Sequence, residues 1–210
     1  MVENLSQEQL ELVATAVDSL VEFQLAQVAK GKGQSSRSSA VGRNVCRWQK
    51  PAPNSVKANW DAALKEKEGK MGMGVIIRDE EGEVLASLCG SRKWVSKPDT
   101  AEMQALWRAL KLCAELNFVN VVFEGDAFGI VKAVNGREEN WEWNGQIIED
   151  IREILKNRPN WVVQHTYREC NNAAHSLARY SLNVNDESVW IESVPEEIVK
   201  TIIQDKLCSI

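Results

Sequence analysis

Leu10, Val13, Val17, Leu20 and Val21 recur at helical spacing, so the opening of the chain predicts an amphipathic helix over residues 6–30, within an N-terminal segment 1–30. The pattern then dissolves into Gly31-Lys32-Gly33-Gln34-Ser35-Ser36-Arg37-Ser38-Ser39, and 31–53 reads as a flexible, basic linker. From residue 54 short apolar runs take over. Val56–Leu64, Met71–Arg78 and Glu83–Trp94 are expected as strands, the last two joined by a hairpin turn at Asp79-Glu80-Glu81-Gly82. Thr100–Leu116 has Met103, Leu106, Leu110, Cys113 and Ala114 on one side and reads as a helix. Strand, helix, helix, strand and helix follow at Val119–Glu124, Ala127–Val134, Gln146–Asn157, Trp161–Tyr167 and Ala173–Leu182, with a loop carrying Trp141 and Trp143 between the first two helices. Asn171 or Asn172 is expected to cap the last of these helices. A further helix after Pro195 falls in a C-terminal helical extension, 186–210.

A three-strand meander followed by β-α-β crossovers implies an α/β domain over 54–185. Its mixed five-stranded sheet would have three antiparallel strands, then two parallel ones, and helices on both faces. The eight tryptophans are expected to pack the core rather than serve as base-stacking platforms.

Composition narrows the function without naming it. With 44% hydrophobic and 26% charged residues, the 210-residue chain is ordinary for a soluble globular protein. A net charge of −5 argues against a general nucleic-acid coat protein but not against a nucleic-acid enzyme, because local patches govern contact with phosphates. Five scattered cysteines with no C-x-x-C pair favour a reducing compartment over a disulfide framework or a zinc site. The acidic N-terminus has no apolar core and no apolar run is long enough to span a membrane. The expectation is an intracellular protein, nuclear or cytoplasmic and not secreted. The apolar face of the N-terminal helix is a candidate docking surface for a protein partner, and the chain is otherwise expected to be monomeric.

Three carboxylates stand at turning points between elements: Asp61 in the first strand, Glu102 at the start of the first long helix and Asp126 after the fourth strand. Brought together at one end of a sheet, they would suit a hard divalent cation such as Mg²⁺. Each also has a structural reading. Asp99-Thr100-Ala101-Glu102 has the spacing of a capping box, Asp126 could cap the helix after it, and Asp61 shares a face with Lys57 and Asn59 that could be solvent-facing.

The order of motifs carries more than any one of them. Lys57-Ala58-Asn59-Trp60-Asp61-Ala62-Ala63, Gly74-Val75-Ile76-Ile77-Arg78-Asp79, Ala101-Glu102-Met103-Gln104-Ala105-Leu106, Glu124-Gly125-Asp126 and Arg168 through Ala178 occur in sequence. Together, over residues 48–207, they resemble the type 1 ribonuclease H domain, in the version found in plant retroelement-derived proteins beside reverse-transcriptase-like sequences. The resemblance implies a metal-dependent endonuclease that cuts the RNA strand of RNA–DNA hybrids. Two Mg²⁺ ions, with Mn²⁺ as a substitute, would be held by Asp61, Glu102, Asp126 and the fourth position, His175. RNA would be recognised through its 2′-hydroxyls and shape.

The chain also departs from that pattern. The family commonly has Asp where His175 stands, and imidazole is a poor ligand for Mg²⁺. His175 could instead hold a water, favour Mn²⁺ or shuttle a proton. Ala62 replaces the usual Gly after the first Asp, and the link before the last helix, Arg168-Glu169-Cys170-Asn171, has no His. His165, inside the fifth strand, reads as structural. The Gln146–Asn157 helix mixes Arg152 and Lys156 with Glu149, Asp150 and Glu153, so weak and salt-dependent substrate binding is expected. The alternative is a catalytically weak or inactive module of the same fold that binds nucleic acid or protein. A related exonuclease is disfavoured, since Asp-x-Glu in the first strand would need an acid where Ala63 stands.

Overall fold

The computed structural model describes residues 47–95, 97–136 and 145–208, all within one compact unit, Asn44–Ile210. The expected N-terminal helix, most of the linker, and Trp141 and Trp143 lie outside the described residues. Strands β1 (Val56–Lys65), β2 (Lys70–Arg78) and β3 (Val84–Lys93) form the antiparallel meander, and β4 (Val121–Gly125) and β5 (Trp161–His165) add in parallel on the other side of β1. Helices α1 (Pro98–Glu115), α2 (Phe128–Asn135), α3 (Gly145–Lys156), α4 (Asn172–Ser181) and α5 (Glu196–Cys208) complete the order, with 3-10 turns at Glu66–Glu68, between β1 and β2, and at Arg168–Cys170, leading into α4.

The five-strand expectation needs one correction. A sixth strand, β6 (Ser188–Ile191), pairs antiparallel with β3, and the sheet order is β5-β4-β1-β2-β3-β6. The stretch 186–210 thus contributes a strand as well as its helix. Only four residues long, and alternating half-buried with exposed, β6 lacks the apolar run by which a strand announces itself. Backbone pairing to the free edge of β3 makes it a strand.

Helices cover both faces of the sheet, as expected. On one face, Trp60, Met71, Met73, Val75 and Ile77 pack with residues of α1, α2 and α3, including Leu106, Ile130 and Ile151. On the other, Ile76 and Cys89 meet Ala173 and Leu177 of α4 and Ile198 of α5. Alternation along β1 and β2 sends neighbouring residues to these opposite layers. The close seat of α4 depends on missing side chains, since a Cβ on Gly74 would overlap the Ala174 carbonyl and the Ala178 nitrogen.

The second face also buries polar groups. Arg78, 1% exposed, pairs with Asp205 of α5 at 2.9 Å, bonds the Asn59 side chain at 3.1 Å and lies 3.6 Å from the centre of the Trp48 ring. Lys57 meets Glu124 at 2.9 Å, and Gln164 donates to the same carboxylate at 2.7 Å, linking β1, β4 and β5. Trp48 and Trp60 are core residues as expected, but Trp94, at 94% exposure and with a left-handed backbone (φ 68°), is not. Cys89 and Cys113 are free, whereas Cys170 is disulfide-bonded, which the scattered cysteine pattern did not suggest.

Candidate active site

Asp61 sits mid-way along β1, opposite Gly74 of β2, and so shares the sheet face on which α4 lies. It is 3% exposed, and its neighbours on that face, Lys57 and Asn59, are buried too. The solvent-facing reading of this strand side is therefore wrong: α4 and α5 cover it.

The two capping readings also give way. Helix α1 begins earlier than the capping-box spacing requires, with Lys97 at the N-cap position and Pro98 in the first turn. Glu102 instead turns towards β1, and its Oε1 accepts a hydrogen bond from the Ala62 backbone N–H at 3.4 Å. Asp126 follows β4, and the N-cap position of α2 falls on Ala127. Just before Asp126, the Trp60 indole packs against Gly125, where a Cβ would overlap the ring. One carboxylate oxygen from each of Asp61, Glu102 and Asp126 lies within 4.8 Å of the others.

Three carboxylates this close are electrostatically costly in a partly desolvated place. Burial, then repulsion from Asp61 and Asp126, pushes the Glu102 carboxyl up to about 9. Burial also raises Asp61, opposed by its hydrogen bond from His175. Glu102 Oε2 is buried without a hydrogen-bond partner. An all-oxygen donor set with an orphaned buried oxygen fits a hard divalent ion.

His175, on α4, reaches the same place by a different contact. Its Nδ1 lies 2.7 Å from Asp61 Oδ2, and its Nε2 lies 3.1 Å from the Arg168 guanidinium. Both ring nitrogens are thus engaged, one of them on a carboxylate of the cluster. Asn171 anchors the start of α4: it occupies the N-cap position, but its side-chain amide donates across the sheet to the Trp60 carbonyl at 2.8 Å. The expected local cap is therefore replaced by a long-range tie, one residue from Asp61. Nothing in local sequence pattern marks Arg168 or this role of Asn171. His165 is exposed at the end of β5, edge-on to Phe128 and Tyr167 and outside the carboxylate cluster.

The reverse transcriptase-like family matches residues 59–181, which span every one of these side chains. The chain belongs to that family. Its fold is that of type 1 ribonuclease H domains. RNase H1 from the halophilic archaeon Halobacterium salinarum NRC-1 is 25% identical, with a TM-score of 0.53, over 61% of this chain and 98% of that one. LC11-RNase H1, isolated from compost by a metagenomic approach, is 27% identical, with a TM-score of 0.56, over 62% and 96%. The same enzyme in complex with an RNA/DNA hybrid aligns at 25% identity and a TM-score of 0.55, over 61% and 96%. Comparison with curated proteins gave no match. Among the described residues no helix is long and apolar enough to cross a membrane.

Proposed function

We propose that this protein is a metal-dependent endonuclease that hydrolyses the RNA strand of RNA–DNA hybrids. The observation that carries the reading is the meeting of Asp61, Glu102 and Asp126, from three separate elements, with a buried Glu102 oxygen left unbonded. The hybrid complex of LC11-RNase H1 supports the choice of substrate.

Asp61, Glu102 and Asp126 would hold Mg²⁺, with Mn²⁺ as a substitute. In the two-ion form expected of the family, the second site would depend on the fourth position, where His175 acts by holding Asp61. A divalent ion there supplies charge neutralisation on the scissile phosphate and a more acidic attacking water. The chain's own residues prepare the site. The Ala62 N–H holds one Glu102 oxygen, His175 fixes one oxygen of Asp61, and the Asn171 tie keeps α4 at the correct depth. RNA selectivity comes from 2′-hydroxyl and shape recognition across the hybrid's minor groove. A nuclear or cytoplasmic workplace and descent from a retroelement belong to the same proposal.

One observation favours the second reading, a binding module without catalysis. Asp61 Oδ2 is already bonded to His175, so both ions can draw on Asp61 only if that bond yields or is shared. The two readings separate in a cleavage assay on a hybrid labelled in turn on each strand. The endonuclease reading expects products only from the RNA strand and only with divalent metal. Absence of cutting with both Mg²⁺ and Mn²⁺, in folded protein that still binds the hybrid, leaves the binding module.

A further inference from the structure

We propose that Arg168 is a positioning residue that fixes the tautomer of His175, so that the imidazole donates its Nδ1–H to Asp61 and orients that carboxylate for metal. The inference deepens the metal-site reading and rests on it for its functional consequence, though not for its geometry.

A guanidinium has donors and no acceptor. In the 3.1 Å contact between Arg168 and His175 Nε2, the ring nitrogen must therefore be the acceptor. The ring hydrogen then sits on Nδ1, directed at Asp61 Oδ2, 2.7 Å away. Guanidinium, imidazole and carboxylate form a chain in which each of the two contacts pairs a donor with an acceptor. With the opposite tautomer, both contacts would fail together: Nε2–H would face the guanidinium N–H, and a bare Nδ1 lone pair would face the Asp61 oxygen.

Arg168 is exposed, yet its backbone is well placed to hold this contact. It opens the 3-10 turn Arg168–Cys170, whose last residue is buried and disulfide-bonded. The next residue, Asn171, is tied to the Trp60 carbonyl. The turn is pinned to the strand that carries Asp61, so Arg168 and His175 approach from a common support. Two consequences follow for the carboxylate cluster. Asp61 Oδ2 is held by a donor, which leaves Oδ1 as the oxygen free of that bond. Both imidazole nitrogens are engaged, so His175 acts through Asp61 and offers no lone pair of its own. Groups that orient a metal-binding side chain in this way matter by about 10–100-fold in metal affinity or activity.

The chain has only two histidines, which makes the tautomer directly observable. The experiment is a long-range proton–nitrogen NMR correlation spectrum of nitrogen-15-labelled, metal-free protein at mildly alkaline pH, with His165→Asn used for assignment. Wild type should show His175 with a pyrrole-type Nδ1 and a pyridine-type Nε2. Arg168→Ala should lose that pattern in favour of averaged or Nε2–H signals, and Arg168→Lys, which keeps a donor, should retain it in part. Titration with Mn²⁺ alone should give an affinity about 10-fold or more weaker in Arg168→Ala, with partial rescue by lysine. An Nε2–H tautomer in wild type, or an unchanged spectrum in Arg168→Ala, overturns the proposal. Should spectrum and Mn²⁺ affinity both respond while wild type leaves hybrids uncut, the positioning role stands and the nuclease reading fails.

Discussion

Replacing Glu102 by Gln should stabilise the metal-free protein while destroying its ion site. The Glu102 carboxyl titrates at about 9 in the fold against an ordinary value of 4.5, because it is buried beside Asp61 and Asp126. Between those two values the folded chain holds a proton that the unfolded chain has released, so stability falls as pH rises through that window. Neutral pH lies roughly 2.5 pH units above the ordinary value, and at about 1.4 kcal/mol per unit the ceiling on the cost is about 3.5 kcal/mol. Partial solvent screening at the cluster lowers this to a working range of about 1–3 kcal/mol. Glutamine keeps an oxygen for the Ala62 N–H and places an amide donor where the unbonded Oε2 stands. Urea denaturation in chelator should therefore show the variant more stable at neutral pH. Its advantage should shrink to nothing as pH falls below the ordinary carboxyl value. Added Mg²⁺ should stabilise wild type through linkage and leave the variant unmoved. A variant that is less stable than wild type in chelator at neutral pH, or whose advantage does not vary with pH, would refute this electrostatic picture of the site.

Three other outcomes are expected. Metal uptake by wild type near neutral pH should release protons, because the Glu102 carboxyl must ionise; calorimetry in two buffers of different protonation enthalpy measures the number, and Glu102→Gln should reduce it. Asp205→Ala should cost about 3–5 kcal/mol in urea denaturation by leaving Arg78 charged and buried, whereas Arg78→Met combined with Asp205→Leu should cost far less. Gly74→Ala should destabilise by about 1–3 kcal/mol or more in thermal melts, since its Cβ must displace the backbone of α4, and should also weaken metal binding by carrying His175 away from Asp61.

The parts of this architecture written in local pattern could be read from the sequence. Alternation and helical spacing located β1 to β5 and the helices between them within a few residues, because each buries a continuous apolar face. β6 could not be read that way. Its four residues have no strong apolar face, and its structure comes from a partner strand about a hundred residues earlier. The carboxylates were visible as residue types at turning points, but local chemistry offered each a plausible duller partner. Those readings failed for a common reason, which is that the competing interactions are long-range. Glu102 bonds to Ala62, 40 residues away, and Asn171 to Trp60, 111 residues away. Arg168 stood in one of the motif stretches but nothing there pointed to this role, which exists only once α4 has placed His175 against β1.

The most direct measurement is cleavage of a labelled RNA–DNA hybrid in Mg²⁺ by wild type and by Asp61→Asn, with the fold of both checked by circular dichroism. Metal-dependent cutting of the RNA strand by wild type and its loss in Asp61→Asn is the result expected of a site built on the three carboxylates. Equal cutting by the two proteins, or none by folded wild type in either Mg²⁺ or Mn²⁺, would contradict it.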